Sequence, residues 1–474
     1  MVFRIIRHEW RLLTADRTAV VVGVAFGAML MAAAVSGARW AAAQAAAVTD
    51  VVTAQDARYQ EARATVAKAS AADAPAPEWG PANPGYLGSF VGRYVVQPPP
   101  PLGALAVGQS DLYAAYSKVT ARTREAVVAG DQTGNPLLLK TGQFDLAFVL
   151  IYLYPLFVLA IAYDLTSGER EDGTLRLLAA QPIRLRQLVM GKVLARGCVV
   201  LVPALLAPVV ALLVDGQPLG AEALVRVGVW STAVSAYGLL WFGLAVVVNA
   251  WGRRPAFNAL ALAGVWLALV VVVPAVINVG VATAYPIPSR VEFINAARAA
   301  TDKARVEGSR VLGRFIEEHP EFSVAGDAIK NASVLQAARD GEIERDVAPV
   351  VARFEAQVAR QHAAVAWLRA LSPAALLQSV LIDAAGTGFD RYRHFFGQAD
   401  AFHQQWRAHF QPLLFANRAL APAQYDALPV FHYVEESAAA VVARAAMPLV
   451  VLVAAGVGVL ALGLARFNTY PVTE

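Results

Sequence analysis

Long uncharged apolar runs alternate with charged or polar stretches along this chain, and the runs are unevenly spaced. They cover Thr18 to Ala38, Leu146 to Tyr163, Gly197 to Val214, Val227 to Gly252, Pro255 to Ser289 and Ala445 to Ala465, with lengths of 21, 18, 18, 26, 35 and 21 residues. About 20 apolar residues in a helix span the hydrocarbon of a bilayer, and a helix is the fold that satisfies every backbone polar group within one segment there. The pattern therefore predicts an all-α polytopic membrane protein with six transmembrane helices. The fifth run is longer than a bilayer requires, which predicts a break near Pro274 and an interfacial or re-entrant piece before Pro286.

Charge sets the expected orientation, because Lys and Arg in short flanking segments stay in the cytoplasm while long segments cross regardless of charge. Arg4, Arg7, Arg11 and Arg17 precede the first run. Alternation then puts residues 164–196 on the same side, with Arg170, Arg176, Arg184, Arg186, Lys192 and Arg196, followed by Arg253 and Arg254. Asp215 to Glu222 carries no Lys or Arg, as expected of an outer turn. The implied layout is a cytoplasmic amphipathic helix at 1–17, spans at 18–38, 146–163, 197–214, 227–252, 255–284 and 445–465, a cytoplasmic segment at 164–196 and a cytoplasmic tail at 466–474. Two long insertions, 39–145 and 285–444, lie outside the membrane, and both termini are cytoplasmic. The first run is read as a retained span, being long for a cleaved signal.

The insertions differ in character. Residues 71–101 are rich in Pro and Gly and predict irregular chain, whereas 41–70, 110–128 and most of 291–370 predict helices. The later stretch with Phe389, Tyr392, Phe395, Phe396, Phe402, Trp406 and Phe410 among Arg391, Arg393 and Arg407 suits either the membrane boundary or a helical core. The N-terminal residues project as a basic amphipathic helix, with Phe3, Ile6, Trp10 and Leu13 on the stripe expected to lie on the membrane surface.

Composition narrows the chemistry. The chain has 474 residues, 57% hydrophobic and 16% charged, with a formal net charge of +4, which fits a membrane protein with sizeable aqueous parts and not a nucleic-acid binder. The single cysteine, Cys198, lies in the third run, so the insertions hold no disulfide. Six of the seven histidines (His319, His362, His394, His403, His409 and His432) fall in the second insertion without the spacing of a metal motif, and no metal site is assigned. Strings of the forms G-x-x-x-x-G-K-[ST] and G-x-S-x-G do not occur. Asn249, Asn258 and Asn278 suit interhelical hydrogen bonds, and Pro155, Pro203, Pro208 and Pro274 suit kinks.

The segment after the second run concentrates the informative residues. Thr166 or Ser167 suits the cap of a helix whose first turn holds Glu169, Glu171 and Asp172, with Arg170 among them. Gly173, Thr174, Leu175, Leu177 and Leu178 follow, and the Gln181–Pro182 step is expected to end the helix. An acidic start and a leucine-rich end suit a groove on a soluble partner, although composition alone also describes an ordinary loop.

The string Glu171-Asp172-Gly173-Thr174-Leu175, then Leu177-Leu178, Gln181-Pro182 and Gly191-Lys192, resembles the coupling segment of type-2 ATP-binding-cassette permeases. The long insertions, with a stretch such as Leu371 to Phe395, resemble a bacterial subgroup of that family whose substrates are not established. The resemblance implies a non-catalytic permease in a bacterial inner membrane. Separate ATPase subunits would carry ATP and Mg, and a second permease, identical or related, would complete the complex. Residues 169–175 with Leu178, Gln181 and Pro182 would transmit hydrolysis to export or extraction of a hydrophobic or peptide-like cargo. The alternative is a mechanotransmitter acting on a periplasmic partner without a conduit.

Overall fold

The computed structural model describes residues 2–69, 77–123, 143–175, 177, 184–216, 220–286, 289–318, 332–416 and 418–470. Leu178, Gln181, Pro182 and His319 lie outside the described residues. The described chain is overwhelmingly helical, and six of its helices are long and apolar enough to cross a membrane. It is an all-α multi-pass membrane protein.

Helix α1 (Val2–Ala15) gives way at Asp16 to α2 (Arg17–Ala69). The Asp16 carboxylate accepts from the backbone N–H of Thr18, which starts the second helix. At 53 residues α2 is about 80 Å long, more than twice the hydrocarbon thickness. A two-stranded antiparallel sheet follows, β1 (Arg93–Val96) against β2 (Tyr116–Val119), in the region where composition predicts irregular chain and then helix. The second span, α3, runs over residues 146–162, with a π turn Val149–Leu153 between α-helical parts. Next come the short α4 (Ser167–Glu171), then α5 (Leu185–Asp215), α6 (Ala221–Asn249) and α7 (Pro255–Ala284). Helix α7 carries a second π turn, Leu267–Val272. The second insertion is built from α8 (Arg290–Glu307), α9 (Ser309–Glu318), α10 (Ala332–Leu368), α11 (Pro373–Ala385), α12 (Phe389–Ala416) and α13 (Pro422–Asp426), before the last span α14 (Ala438–Arg466).

Both π turns sit just before a proline, Pro155 and Pro274. Proline brings no N–H to the preceding turn, and lipid offers no water to replace it. Side chains supply the donors instead. The Tyr237 hydroxyl donates to the Ile151 carbonyl (3.0 Å), Trp266 Nε1 to Tyr152 (3.1 Å) and the Ser372 hydroxyl to Leu269 (2.8 Å).

The bundle closes on α6 and α14, which approach through glycines. A Cβ on Gly243 would lie 2.9 Å from the Leu460 backbone nitrogen, and one on Gly463 3.0 Å from that of Val247. Such close contact suits helix association in lipid, where dispersion and not hydrophobicity drives packing. Around this pair the main core buries Phe26, Tyr154, Trp230, Tyr237 and Trp241.

The two insertions share one core. Val66 of α2, Leu87, Val95 of β1 and Val119 of β2 pack with Phe395, Phe402, Trp406 and Phe410 of α12. Trp406 Nε1 donates to the Gly88 carbonyl at 3.1 Å, and a Cβ at Gly88 would strike the Phe410 ring at 2.7 Å. The α12 aromatics left open by sequence thus form a core. Arg391 is buried there too, bidentate with Glu435 (2.6 and 2.9 Å).

Two expected outcomes follow. Gly463→Leu forces a side chain into the Val246–Val247 backbone and should lower stability by about 1–3 kcal/mol, read as a reduced melting midpoint in detergent. Burial, opposed by Arg444 and Arg369 and reinforced by Asp390 and Glu436, pushes the Asp383 carboxyl up to about 6. The folded state therefore binds more protons than the unfolded one between about pH 4 and 6, and stability falls as pH rises through that window. Asp383→Asn should flatten that slope in melting curves recorded from pH 4 to 8.

Candidate functional site

The acidic segment after α3 lies at the end of the bundle that carries α1. Its helix is broken at residues 172–174, where sequence predicts it to continue. Helix α4 stops at Glu171 because Gly173 takes a left-handed conformation, φ +72°, which is the glycine C-terminal stop. The Asp172 N–H reaches the Gly168 carbonyl (2.9 Å), and the Thr174 hydroxyl folds back on Glu169 O (3.2 Å). Thr166 occupies the N-cap position without a side-chain cap bond. A glycine after an acidic first turn is a stop signal available in the sequence; Leu175 and Leu177 are helical again beyond this break, and the expected end at Gln181–Pro182 lies outside the described residues.

The segment divides into an anchored face and an exposed face. Leu175 is buried in the main core and holds the turn down, while Glu171, Asp172, Gly173, Thr174 and Leu177 are exposed, Leu177 at 71%. Glu169 Oε1 pairs with Lys192 Nζ at 2.6 Å, and that ammonium also donates to the Leu165 carbonyl (2.9 Å). The Arg170 guanidinium donates to the Gly252 carbonyl, and Gly252 is left-handed with no room for a Cβ beside that guanidinium.

Beneath this turn is a buried amide node. Asn249 Nδ2 donates to the carbonyls of Ala162 (3.1 Å) and Ala245 (2.9 Å). Its Oδ1 accepts from the Thr166 N–H (3.3 Å) and Asn258 Nδ2 (3.3 Å). Asn258 Nδ2 reaches the Tyr163 carbonyl (3.2 Å) as well. One amide pair therefore joins the ends of α3, α6 and α7 where regular helix bonding runs out.

Helix α1 is fastened to the same assembly. Gly191 leaves a gap filled by Ile5, since a Cβ there would sit 2.6 Å from Ile5 Cγ2. One turn on, Arg196 Nε binds Glu9 Oε1 at 2.8 Å, and its Nη1 binds the Ile161 carbonyl (2.7 Å) and the Asp164 carboxylate. Glu9 is 3% exposed. Of the stripe predicted to lie on the membrane, Phe3 and Trp10 are exposed and Ile6 and Leu13 half-buried; Ile5 and Glu9 form the inward face. The pairing of Glu9 and Asp164 with Arg196 is not legible in the sequence, because it joins residues 187 and 32 positions apart, whereas Asn249 and Asn258 make the interhelical hydrogen bonds expected of them. Lys192 and Gly191 had a signal, the G-K step of the motif.

The described histidines of the second insertion do not converge. His403 bonds the Arg122 carbonyl (2.8 Å), His394 the Val434 carbonyl (2.9 Å), and His362 stacks on Phe389. Among the described residues no group of three or more His, Cys, Asp or Glu side chains is placed to hold a metal ion.

Replacing Arg196 by Met leaves Glu9 buried beside an apolar chain, and should cost about 3–5 kcal/mol. The Glu9→Leu/Arg196→Met double variant should melt closer to wild type than Arg196→Met alone, the difference giving the coupling of the pair.

Residues 290–434 match the family model described as Domain of unknown function (DUF3526). The chain is 31% identical over 133 residues to the probable ABC transporter permease protein NosY of Stutzerimonas stutzeri, covering 27% of this chain and 48% of that protein. The chain thus spans about half the length of the curated relative it matches. Six membrane-length apolar helices together with this similarity make it a multi-pass membrane protein with partial likeness to an ATP-binding-cassette transporter permease.

Proposed function

We propose that this chain is the membrane-spanning permease subunit of an ATP-binding-cassette complex, and that separate ATPase subunits dock on the exposed turn at Glu171, Asp172, Thr174 and Leu177. The α1 end of the bundle, and with it both termini, faces the cytoplasm of a bacterial cell, and α1 lies on the inner-membrane surface with Trp10 as its interfacial anchor. ATP and Mg belong to the partner ATPase, and a second permease, this chain again or a related one, completes the complex. Leu178, Gln181 and Pro182 continue the docking segment in sequence.

The observation that carries this reading is the two-faced acidic turn. Its outer face offers carboxylates and an exposed leucine suited to a groove, while its inner face is bolted to α5 by the pair of Glu169 with Lys192, to the α6–α7 connection by Arg170 and to the main core by Leu175. A push on such a turn moves helices instead of being absorbed in a loop. The work done on them drives export or extraction of a hydrophobic or peptide-like cargo. An apolar cleft of about 150 Å³ between α2 and α5, lined by Gly27, Leu30, Met31, Pro203, Leu206 and Val210, fits an apolar portion of such a cargo.

A second reading, mechanical action on a periplasmic partner without a conduit, is favoured by α2. The same helix that packs against α5 in the bundle is bonded along its outer half to the insertion core, through Trp40 to Asp111 (2.7 Å), Tyr59 to the Gly92 carbonyl (2.6 Å) and Arg63 to Asp426 (2.9 Å).

The Glu171→Lys/Leu177→Asp double variant alters only exposed side chains. It should reduce stimulation of the copurified ATPase at least tenfold, about 1.4 kcal/mol of coupling, with insertion and melting midpoint unchanged. Undiminished stimulation in that variant removes the docking role of this turn.

A further inference from the structure

Helix α10 descends beside the second half of α7 and ends in a 3₁₀ turn, Arg369–Leu371, before α11 rises again. Two hydrogen bonds fix its path. Gln361 Nε2 donates to the carbonyl of Tyr285, beyond the end of α7, and Ser372 donates to the carbonyl of Leu269, well inside that span. Pro255 starts α7 immediately after Arg253 and Arg254, a pair suited to a headgroup layer. Leu269 is then about 20 Å along the helix, roughly 10 Å short of the far edge of a hydrocarbon layer about 30 Å thick.

Ser372 must share that depth. The residues leading into it are Val365, Ala366, Trp367, Leu368, Arg369, Ala370 and Leu371, and their apolar members face outward. Trp367 is 81% exposed and Leu371 62% exposed. On a water-immersed domain such a tip would be a costly apolar patch. Here it continues the exposed apolar surface of α7 at Val271, Val272 and Val276, which faces lipid in a spanning helix. Climbing about 1.5 Å per residue from Ser372 puts Trp367 close to the hydrocarbon edge, the level that tryptophan favours. Arg369 is half-buried and close enough to Asp383 to lower its carboxyl, so its long chain runs toward the polar side. The rising arm hides its own apolar face, with Leu376, Leu377, Val380 and Leu381 buried against the bundle.

We propose that residues 361–385 form a re-entrant hairpin whose tip, Val365 to Leu371, is immersed among the acyl chains of the leaflet on the insertion side. The second insertion is then held by lipid as well as by protein. The phospholipid of that leaflet is the partner of this surface. The inference stands on the depth of Ser372 and does not require the ATPase reading.

The test uses the full chain in phospholipid nanodiscs, with Cys198→Ala as background and one nitroxide-labelled cysteine at a time. Leu371→Cys and Trp367→Cys report on the tip, Val272→Cys on lipid-facing α7 and Ala352→Cys on the exposed water side of α10. Collision with oxygen, which concentrates in lipid, is compared with collision with a water-soluble nickel chelate. The expected result is a several-fold excess of oxygen over nickel access at Leu371, matching Val272, with the opposite ratio at Ala352. Nickel access at Leu371 equal to that at Ala352 overturns the proposal, and so does a label shielded from both reagents, which marks a face covered by protein. All four sites are exposed, and a wild-type melting midpoint for each variant confirms that the fold is intact. Brominated lipids with bromine at graded depth should quench a fluorophore at Leu371 more strongly than one at Ala352; equal quenching also overturns it.

Discussion

Where a helix in lipid departs from regular hydrogen bonding, the carbonyl left over has no water to turn to, and this chain answers both of its π turns with side-chain donors. Pro155 follows one π turn and Pro274 the other, and Tyr237, Trp266 and Ser372 deliver donors to carbonyls within those turns. Each donor comes from a different element: α6, α7 and the cap of α11. The bonds that repair the irregular helices are therefore the same bonds that set how the helices pack. The Ser372 bond goes further, since it draws part of the second insertion down to the depth of a span.

The same constraint shapes the α1 end of the bundle. Spans α3, α6 and α7 all end there within reach of Asn249, and a single carboxamide with two donors and an acceptor ties together chain ends that would otherwise need separate caps. Once that amide is buried, the chain leaving α3 has to turn close to the bundle, and Lys192 and Arg196 of α5 meet the carboxylates of Glu169, Asp164 and Glu9. Several of the cations on which the expected orientation rests are thus committed to buried pairs. A cation that resists crossing a membrane also needs a local carboxylate when it is partly buried, so one residue can serve both ends.

Much of this architecture is legible in the sequence, and the illegible parts share a cause. The six runs reveal the spans because length and hydropathy are local properties. The acidic string is visible as a string, and Gly173 carries a stop signal that breaks the expected helix. The β1–β2 pair is hidden, since each strand is only four residues long and its partner lies across an intervening loop. The α12 aromatics fit two environments by composition, and what decides between them is Gly88, a residue some 320 positions away that admits Phe410 and accepts from Trp406. Glu9 reads as one charge in a basic amphipathic helix until Arg196 is brought against it. Contacts of that range are set by packing, which no local pattern encodes.

The compliance of the structure follows from where these pairs are buried. Glu9 and Lys192 are each under 5% exposed, and Asn249 is fully buried, so separating any of them from its partners strands a polar group in a low-dielectric setting. Helix α1, the turn at 167–175, α5 and the α6–α7 connection therefore resist moving apart, and a displacement applied at Glu171 or Leu177 is shared among them. Close glycine packing extends that body from α6 to α14. Helix α2 is joined to it through α5 and through Asp16, and continues unbroken into the core of the insertions. Under the proposed docking, a load placed on the acidic turn would reach the insertion core through continuous helix and desolvated contacts, both stiff, and the apolar cleft lined by α2 and α5 lies between the two.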